Sequence, residues 1–148
     1  MPTRFSHIAI VAHDPDRLAE FYIEVFGCER SGPPRDLFGE PLEAGMGLPG
    51  AHVRGVHLRL PGHEDPGPVL EIFALDATVR SPPDVNRLGL SHVAFSVDDI
   101  HATYERLLAC GGTPHGTIAE VTVAGVGTAE FVYSRDPEGN FVELQGWK

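Results

Sequence analysis

Cysteine is scarce: Cys28 and Cys110 are the only two in 148 residues. That count excludes a disulfide framework and a zinc knuckle, and each reads as a small free thiol. Cationic charge is short as well. Eleven Lys and Arg against 21 Asp and Glu give a formal charge of −10, with no basic block anywhere. Non-specific nucleic-acid binding needs a cationic surface, so no nucleic-acid partner is expected. No apolar run approaches the ~20 residues of a membrane span, so no membrane partner is expected either. The opening MPTRFSHIAIVAHD is a poor signal peptide and a good first strand. A cytoplasmic protein is the expectation. A phosphate loop is lacking too: GMGLPG has no following Lys-Ser/Thr. No GxSxG elbow is present for a serine hydrolase.

What is present is a repeat. FSHIAIVAHDPDRLAEFYIEVFG, starting at Phe5, aligns without gaps on LSHVAFSVDDIHATYERLLACGG, starting at Leu90. Ser6 falls on Ser91, His7 on His92, Ala9 on Ala94, Asp14 on Asp99 and Gly27 on Gly112. Each copy reads as a strand opening on Ser-His, an Asp turn, a helix and a Gly stop. A repeat of this kind implies two similar modules.

Phe5 to Val11 alternates, which puts His7 and Ala9 on one strand face and Ile8 and Ile10 on the other. Asp14-Pro15 caps and starts a helix. Leu18, Phe21, Tyr22, Val25 and Phe26 give its apolar stripe, and Gly27 its left-handed stop. Residues 29–52, rich in Pro and Gly, read as loop with one short strand near Arg35 to Phe38. Such a loop either arches over a site or lies mobile on the surface. Strands follow at 53–60 and 69–75, joined by a turn at 61–68. Residues 78–89 have linker composition. The second copy continues with a strand at 90–97, a helix capped by Asp98 or Asp99 and reaching Cys110, and strands near 117–121, 127–134 and 140–145. Asp136-Pro137-Glu138-Gly139 makes the last turn. The expected fold is α+β: two tandem βαβββ modules within one domain over 1–148. The first covers about 4–77 and the second about 90–148. The first module is longer by 13 residues between helix and last strand, all in the Pro/Gly loop and the 61–68 turn.

Four residues carry the chemistry: His7, Glu71, His92 and Glu143. The histidines stand at matched places in the first strands, and the glutamates within LEIF and VELQ of the last strands. Their sequence neighbours are apolar and pack on the helix, so each His or Glu points to the other face. Taken singly, an inward His is usually a core residue and a strand Glu usually faces water. A charged Glu in an apolar strand is costly unless paired or metal-bound, and two at matched positions are hard to explain otherwise. Two His and two carboxylates suit one divalent ion such as Zn, Ni, Co, Mn or Fe. Such an ion can polarise a carbonyl and stabilise an enediolate while a carboxylate, Glu143 or Glu71, moves the proton. His57, alternating with Val56 and Leu58, faces either side of its strand; facing inward, it lines the pocket beside Arg59.

SHIAIVAHDPDRLAEFYIEVFG, LSHVAFSVDDI and YSRDPEGNFVEL together resemble the vicinal oxygen chelate superfamily. It includes glyoxalase I, methylmalonyl-CoA epimerase, extradiol dioxygenases and bleomycin-binding proteins. The resemblance implies paired βαβββ modules forming a curved mixed sheet around a metal pocket. It implies metal ligands at His7, Glu71, His92 and Glu143, with Phe131 and Tyr133 lining the pocket. A His/Glu/His/Glu set looks most like bacterial glyoxalase I. That implies a lyase or isomerase, lactoylglutathione lyase-like, acting on a small α-oxygenated carbonyl substrate, in a homodimer. An extradiol dioxygenase would use only His7, His92 and Glu143. An epimerase of this group usually has an amide where Glu71 stands, and bleomycin-binding members lack the metal set. An arginine-rich signature for glutathione is not evident; Asn86 and Arg87 are only suggestive.

Overall fold

The computed structural model describes residues 4–81 and 84–148; residues 82 and 83 of the expected linker lie outside them. The chain divides into two compact units, Met1–Arg80 and Ser81–Lys148. Each holds one five-stranded mixed sheet, and three helices complete the α+β fold.

The first unit runs β1 (His7–Val11), α1 (Pro15–Phe26), β2 (Glu29–Arg30), β3 (Arg35–Phe38), α2 (Glu40–Met46), β4 (His52–Arg59) and β5 (Val69–Leu75). Its strand order is β1-β5-β4-β2, with β3 also on β4. β1 and β5 are parallel; the other pairs are antiparallel. Asp14 caps α1 by accepting from the Arg17 N–H at 3.0 Å, and Gly27 ends it at φ 70°. The stripe of α1 lies over β4 and β5. Leu18, Phe21, Tyr22 and Val25 are buried there, as are Leu58, Leu70 and Ile72 of the sheet. Each of these large side chains contributes roughly 1.5–3 kcal/mol by leaving water.

The second unit repeats the plan with β6 (His92–Ser96), α3 (Ile100–Ala109), β7 (Thr113–Pro114), β8 (Ala119–Val123), β9 (Gly127–Arg135) and β10 (Phe141–Trp147). The order is β6-β10-β9-β7, with β8 on β9. The cap of α3 is Asp99, not Asp98, accepting from the Ala102 N–H at 2.9 Å. The Gly stop is divided between two residues. Gly111 carries the positive φ of 97°. Gly112 gives room, because a Cβ there would lie 2.4 Å from Leu107 Cδ2 and 2.8 Å from the Arg135 carbonyl.

The short strand expected near Arg35 to Phe38 is present as β3, and the rest of the stretch expected as loop is corrected. Residues 29–52 hold β2, β3 and α2. β2 and β3 are two pieces of one edge strand along β4, broken at Ser31–Pro34, where two prolines lack N–H donors for a ladder. The same edge in the second unit is broken between Pro114 and Ala119 into β7 and β8. α2 starts with Pro at its first turn and ends at Gly47 in the left-handed region, φ 63°. It occupies the β3–β4 connection, where the second unit has only Ala124, Gly125 and Val126. Among the described residues no helix is long and apolar enough to cross a membrane.

Candidate functional site

Strand register places the four singled-out residues. In the first unit β1 pairs with β5 so that Ala9 lies opposite Glu71. In the second, β6 pairs with β10 so that Ala94 lies opposite Glu143. Each His is therefore two residues back along the first strand from the partner of its Glu, on the same face. The antiparallel neighbours match as well: His57 is opposite Glu71, and Tyr133 opposite Glu143. His57 and Tyr133 are thus equivalent positions.

In the second unit His92 Nε2 sits 2.8 Å from Glu143 Oε2. Ser91 Oγ is 3.0 Å from His92 Nδ1, so the ring is held through its other nitrogen. Glu143 Oε1 accepts from Gln145 Nε2 at 3.0 Å. Trp147 Nε1 donates to Gln145 Oε1 at 3.2 Å, which fixes the direction of that amide. Glu143 is 7% exposed, a nearly buried carboxylate with both oxygens engaged. Tyr133 lies against the His92 ring, centroids 4.8 Å apart, and Phe131 against Tyr133 at 6.3 Å. Burial, and then the charge of Glu143, raise the Tyr133 pKa, so its hydroxyl stays protonated.

The first unit is looser. His7 Nδ1 is 3.1 Å from Ser6 Oγ and 3.6 Å from Glu71 Oε1. Glu71 Oε1 is also 3.4 Å from His57 Nε2. His57 Nδ1 in turn is 3.3 Å from Arg35 Nη2. Burial foremost lowers the His57 pKa; the charges of Arg35 and His7 act the same way, against that of Glu71. A cavity of about 280 Å³ opens here. Leu37, Leu42, Met46 and Phe73 give it apolar walls, and Arg35, His57 and Glu71 a polar end. The segment carrying α2 therefore does reach over Glu71.

Arg59 is not brought to this place. It is bonded to Glu29, with Asp65 at 3.9 Å, and lines a separate polar pocket beside Gly27 and His63. Its partners, from β2 and the 61–68 turn, were not legible. Ser6, Ser91, Arg35, Gln145 and Trp147 were missed as supporting residues. The Ser-His dipeptide stood in both copies of the repeat, and its signal was the hydroxyl next to each imidazole. Cys28 is buried, and burial pushes its thiol up to about 12.

Each unit thus gathers a serine-held imidazole and a carboxylate, and the first unit adds the imidazole of His57. Among the described residues no three His, Cys, Asp or Glu side chains are arranged by themselves to hold a metal ion. The donors nevertheless fit a divalent ion. They are nitrogen and carboxylate oxygen, and each His is held at Nδ1 by a serine hydroxyl, as metal-binding imidazoles commonly are held through their second nitrogen.

Residues 4–144 match the family model described as Glyoxalase/Bleomycin resistance protein/Dioxygenase superfamily. A relative named "Probable lactoylglutathione lyase", from Vibrio parahaemolyticus serotype O3:K6, is 27% identical over 95% of this chain and 88% of its own. A glyoxalase family protein from Bacillus cereus superimposes with a TM-score of 0.83 at 22% identity, covering 99% of this chain and 95% of that one. A glyoxalase I mutant from Zea mays gives 0.64 at 23% identity over 96% of this chain and 44% of that one. The two structural likenesses are of fold.

Proposed function

Because the chain belongs to the glyoxalase/bleomycin resistance protein/dioxygenase superfamily, we propose that it is a metal-dependent lyase or isomerase acting on a small α-oxygenated carbonyl compound. The carrying observation is the doubled register: both units place a serine-held imidazole and a glutamate on the same face of a parallel strand pair. His7, Glu71, His92 and Glu143 are the ligands in this reading. When bound, the ion supplies Lewis acidity toward the substrate's oxygens.

The chain's own residues do the rest. A proton on the carbon next to the carbonyl is taken by a carboxylate oxygen of Glu71 or Glu143 and returned to the neighbouring carbon. Glu71 has the looser contacts, at 3.4 and 3.6 Å, and stands beside the 280 Å³ cavity. Glu143 is fixed by His92 and Gln145, which suits a ligand that stays in place. The apolar walls from α2 and β3 exclude water from the substrate beside Glu71. Phe131 and Tyr133 present an aromatic surface next to His92. A homodimer is part of the proposal, and sedimentation of the metal-loaded protein tests it.

Protein purified without a histidine tag is to be assayed for metal content and reconstituted with Ni, Zn, Co, Mn and Fe(II). The expected result is one ion per chain, with isomerisation and solvent-proton exchange on 2-oxo aldehyde adducts or 2-hydroxy carbonyl compounds. No metal binding after reconstitution would sink the proposal and favour a small-molecule binder. Oxygen uptake on catechols with Fe(II) would sink it in favour of a dioxygenase.

A further inference from the structure

We infer that Arg35 and His57 are positioning residues for Glu71: the guanidinium sets the imidazole's tautomer, and the imidazole N–H aims the carboxylate. This rests on reading Glu71 as a metal-binding carboxylate and extends it to residues outside the ligand set.

The tautomer follows from what arginine can do. A guanidinium only donates, so His57 Nδ1, 3.3 Å from Arg35 Nη2, must accept. The proton of neutral His57 is then on Nε2, the nitrogen 3.4 Å from Glu71 Oε1. The carboxylate therefore meets an N–H and not a lone pair. Arg35 is itself held. Its other terminal nitrogen donates to the Pro33 carbonyl, and the guanidinium passes close by Gly32. The break between β2 and β3 thus forms the seat of the guanidinium.

The second unit supplies the comparison. Its carboxylate also accepts an N–H, but from Gln145, two residues along the same strand. By register, the counterpart of Gln145 is Phe73: Gln145 lies opposite Phe131, and Phe73 lies opposite Gly55 at the matching place. Phe73 has no donor to give. The counterpart of His57 is Tyr133, which lies on the His92 ring. The counterpart of Arg35 is Ala119, opposite Phe131 as Arg35 is opposite Gly55. Beyond the first-strand histidine, each unit thus gives its glutamate one further nitrogen partner, from different strands. In the first unit the donor comes with an arginine behind it; in the second, with a tryptophan.

Two measurements on the full chain test this. Nitrogen-15 spectra of the imidazoles in metal-free protein, with His57→Gln to assign the signal, should show the Nε2–H form at His57. Arg35→Ala should turn that signal into a mixture of both tautomers. Chelator competition with Zn and Ni should show His57→Ala binding about 10–100-fold more weakly. His57→Gln, whose amide N–H reaches a similar place, should return affinity to within about threefold of the parent. Arg35→Ala should weaken binding in the parent and leave the His57→Gln protein unchanged. Thermal unfolding of each metal-free variant separates lost folding from lost positioning. An Nδ1–H form at His57 in a protein that binds metal sinks this inference alone. So does unchanged metal affinity in His57→Ala, or an equal Arg35→Ala effect in both backgrounds. A protein that takes no metal sinks the aiming role together with the metal reading, while an Nε2–H signal would still report the tautomer set by Arg35.

Discussion

Glu143 sits in a strand whose neighbours Val142 and Leu144 are fully buried, and it is itself 7% exposed. A carboxylate so placed is tolerated because His92 and Gln145 take both of its oxygens. Glu143→Gln keeps the shape and removes the charge. Outer partners of a metal site are worth 10–100-fold in affinity. On the proposed reading of Glu143 as an anionic ligand, its loss is expected to weaken metal binding by about 100-fold or more, read by chelator competition. The two thiols divide at the same scale. Cys28, pushed up to about 12, is 1% exposed, whereas Cys110 is only partly buried. Burial thus holds Cys28 as the thiol, and the thiolate is the reactive form. A thiol reagent should label one cysteine in native protein and two in denaturant. Native labelling of both at equal rates would contradict the burial.

At the scale of elements, β4 and β5 pair closely at Gly55. A Cβ there would stand 2.2 Å from the Ile72 carbonyl and 2.6 Å from Phe73 Cα. Gly55→Ala must push the strands apart; about 3 kcal/mol of lost stability is expected, read from urea midpoints. α2 behaves differently. None of its residues is buried, yet Leu42 and Met46 wall the cavity. Replacing residues 40–50 by a short turn like Ala124–Val126 should leave circular dichroism and metal affinity near the parent's. It should change which substrates are turned over. Loss of folding in that variant would show that α2 is structural. The sequence made the βαβββ repeat legible because the Ser-His, Asp-cap and Gly signals recur in both copies. It also placed His7, His92, Glu71 and Glu143 on their strand faces, since alternation needs only period two. The short strands β2 and β7 were not legible: two residues hold no period. α2 was hidden by Pro41 and Gly45, breakers in a helix interior that are tolerated here at its first turn and on an exposed surface. Arg35 could not be read as a partner of His57, because their contact joins residues 22 positions apart across a strand pair.

The whole molecule carries a formal charge of −10. On the proposed metal reading, an ion that prefers the folded chain to the unfolded one stabilises it. At 100 times its Kd it adds ~2.7 kcal/mol of stability. For a chain of 148 residues that corresponds to about 5–10 °C in Tm. Thermal scans with and without chelator should show this difference, and it should vanish in the His7→Ala, His92→Ala double variant. An unchanged Tm on chelation would count against a resident ion.

The unequal lengths of the two units have a consequence for which parts of the first unit can vary. Nearly all of the first unit's additional residues enter where strands turn or where an edge is crossed, between Phe38 and His52 and between Arg59 and Val69. Neither position lies inside the β1–β5 or β4–β5 ladders, so neither shifts which residue meets Glu71. Length between Phe38 and His52 varies the walls of the cavity beside Glu71, length between Arg59 and Val69 varies the separate pocket beside Arg59, and the second unit shows the same ladder with shorter connections. Changes in the connection that carries α2 can therefore reshape the space beside Glu71 while the ladders that set Glu71 against Ala9 and His57 stay fixed.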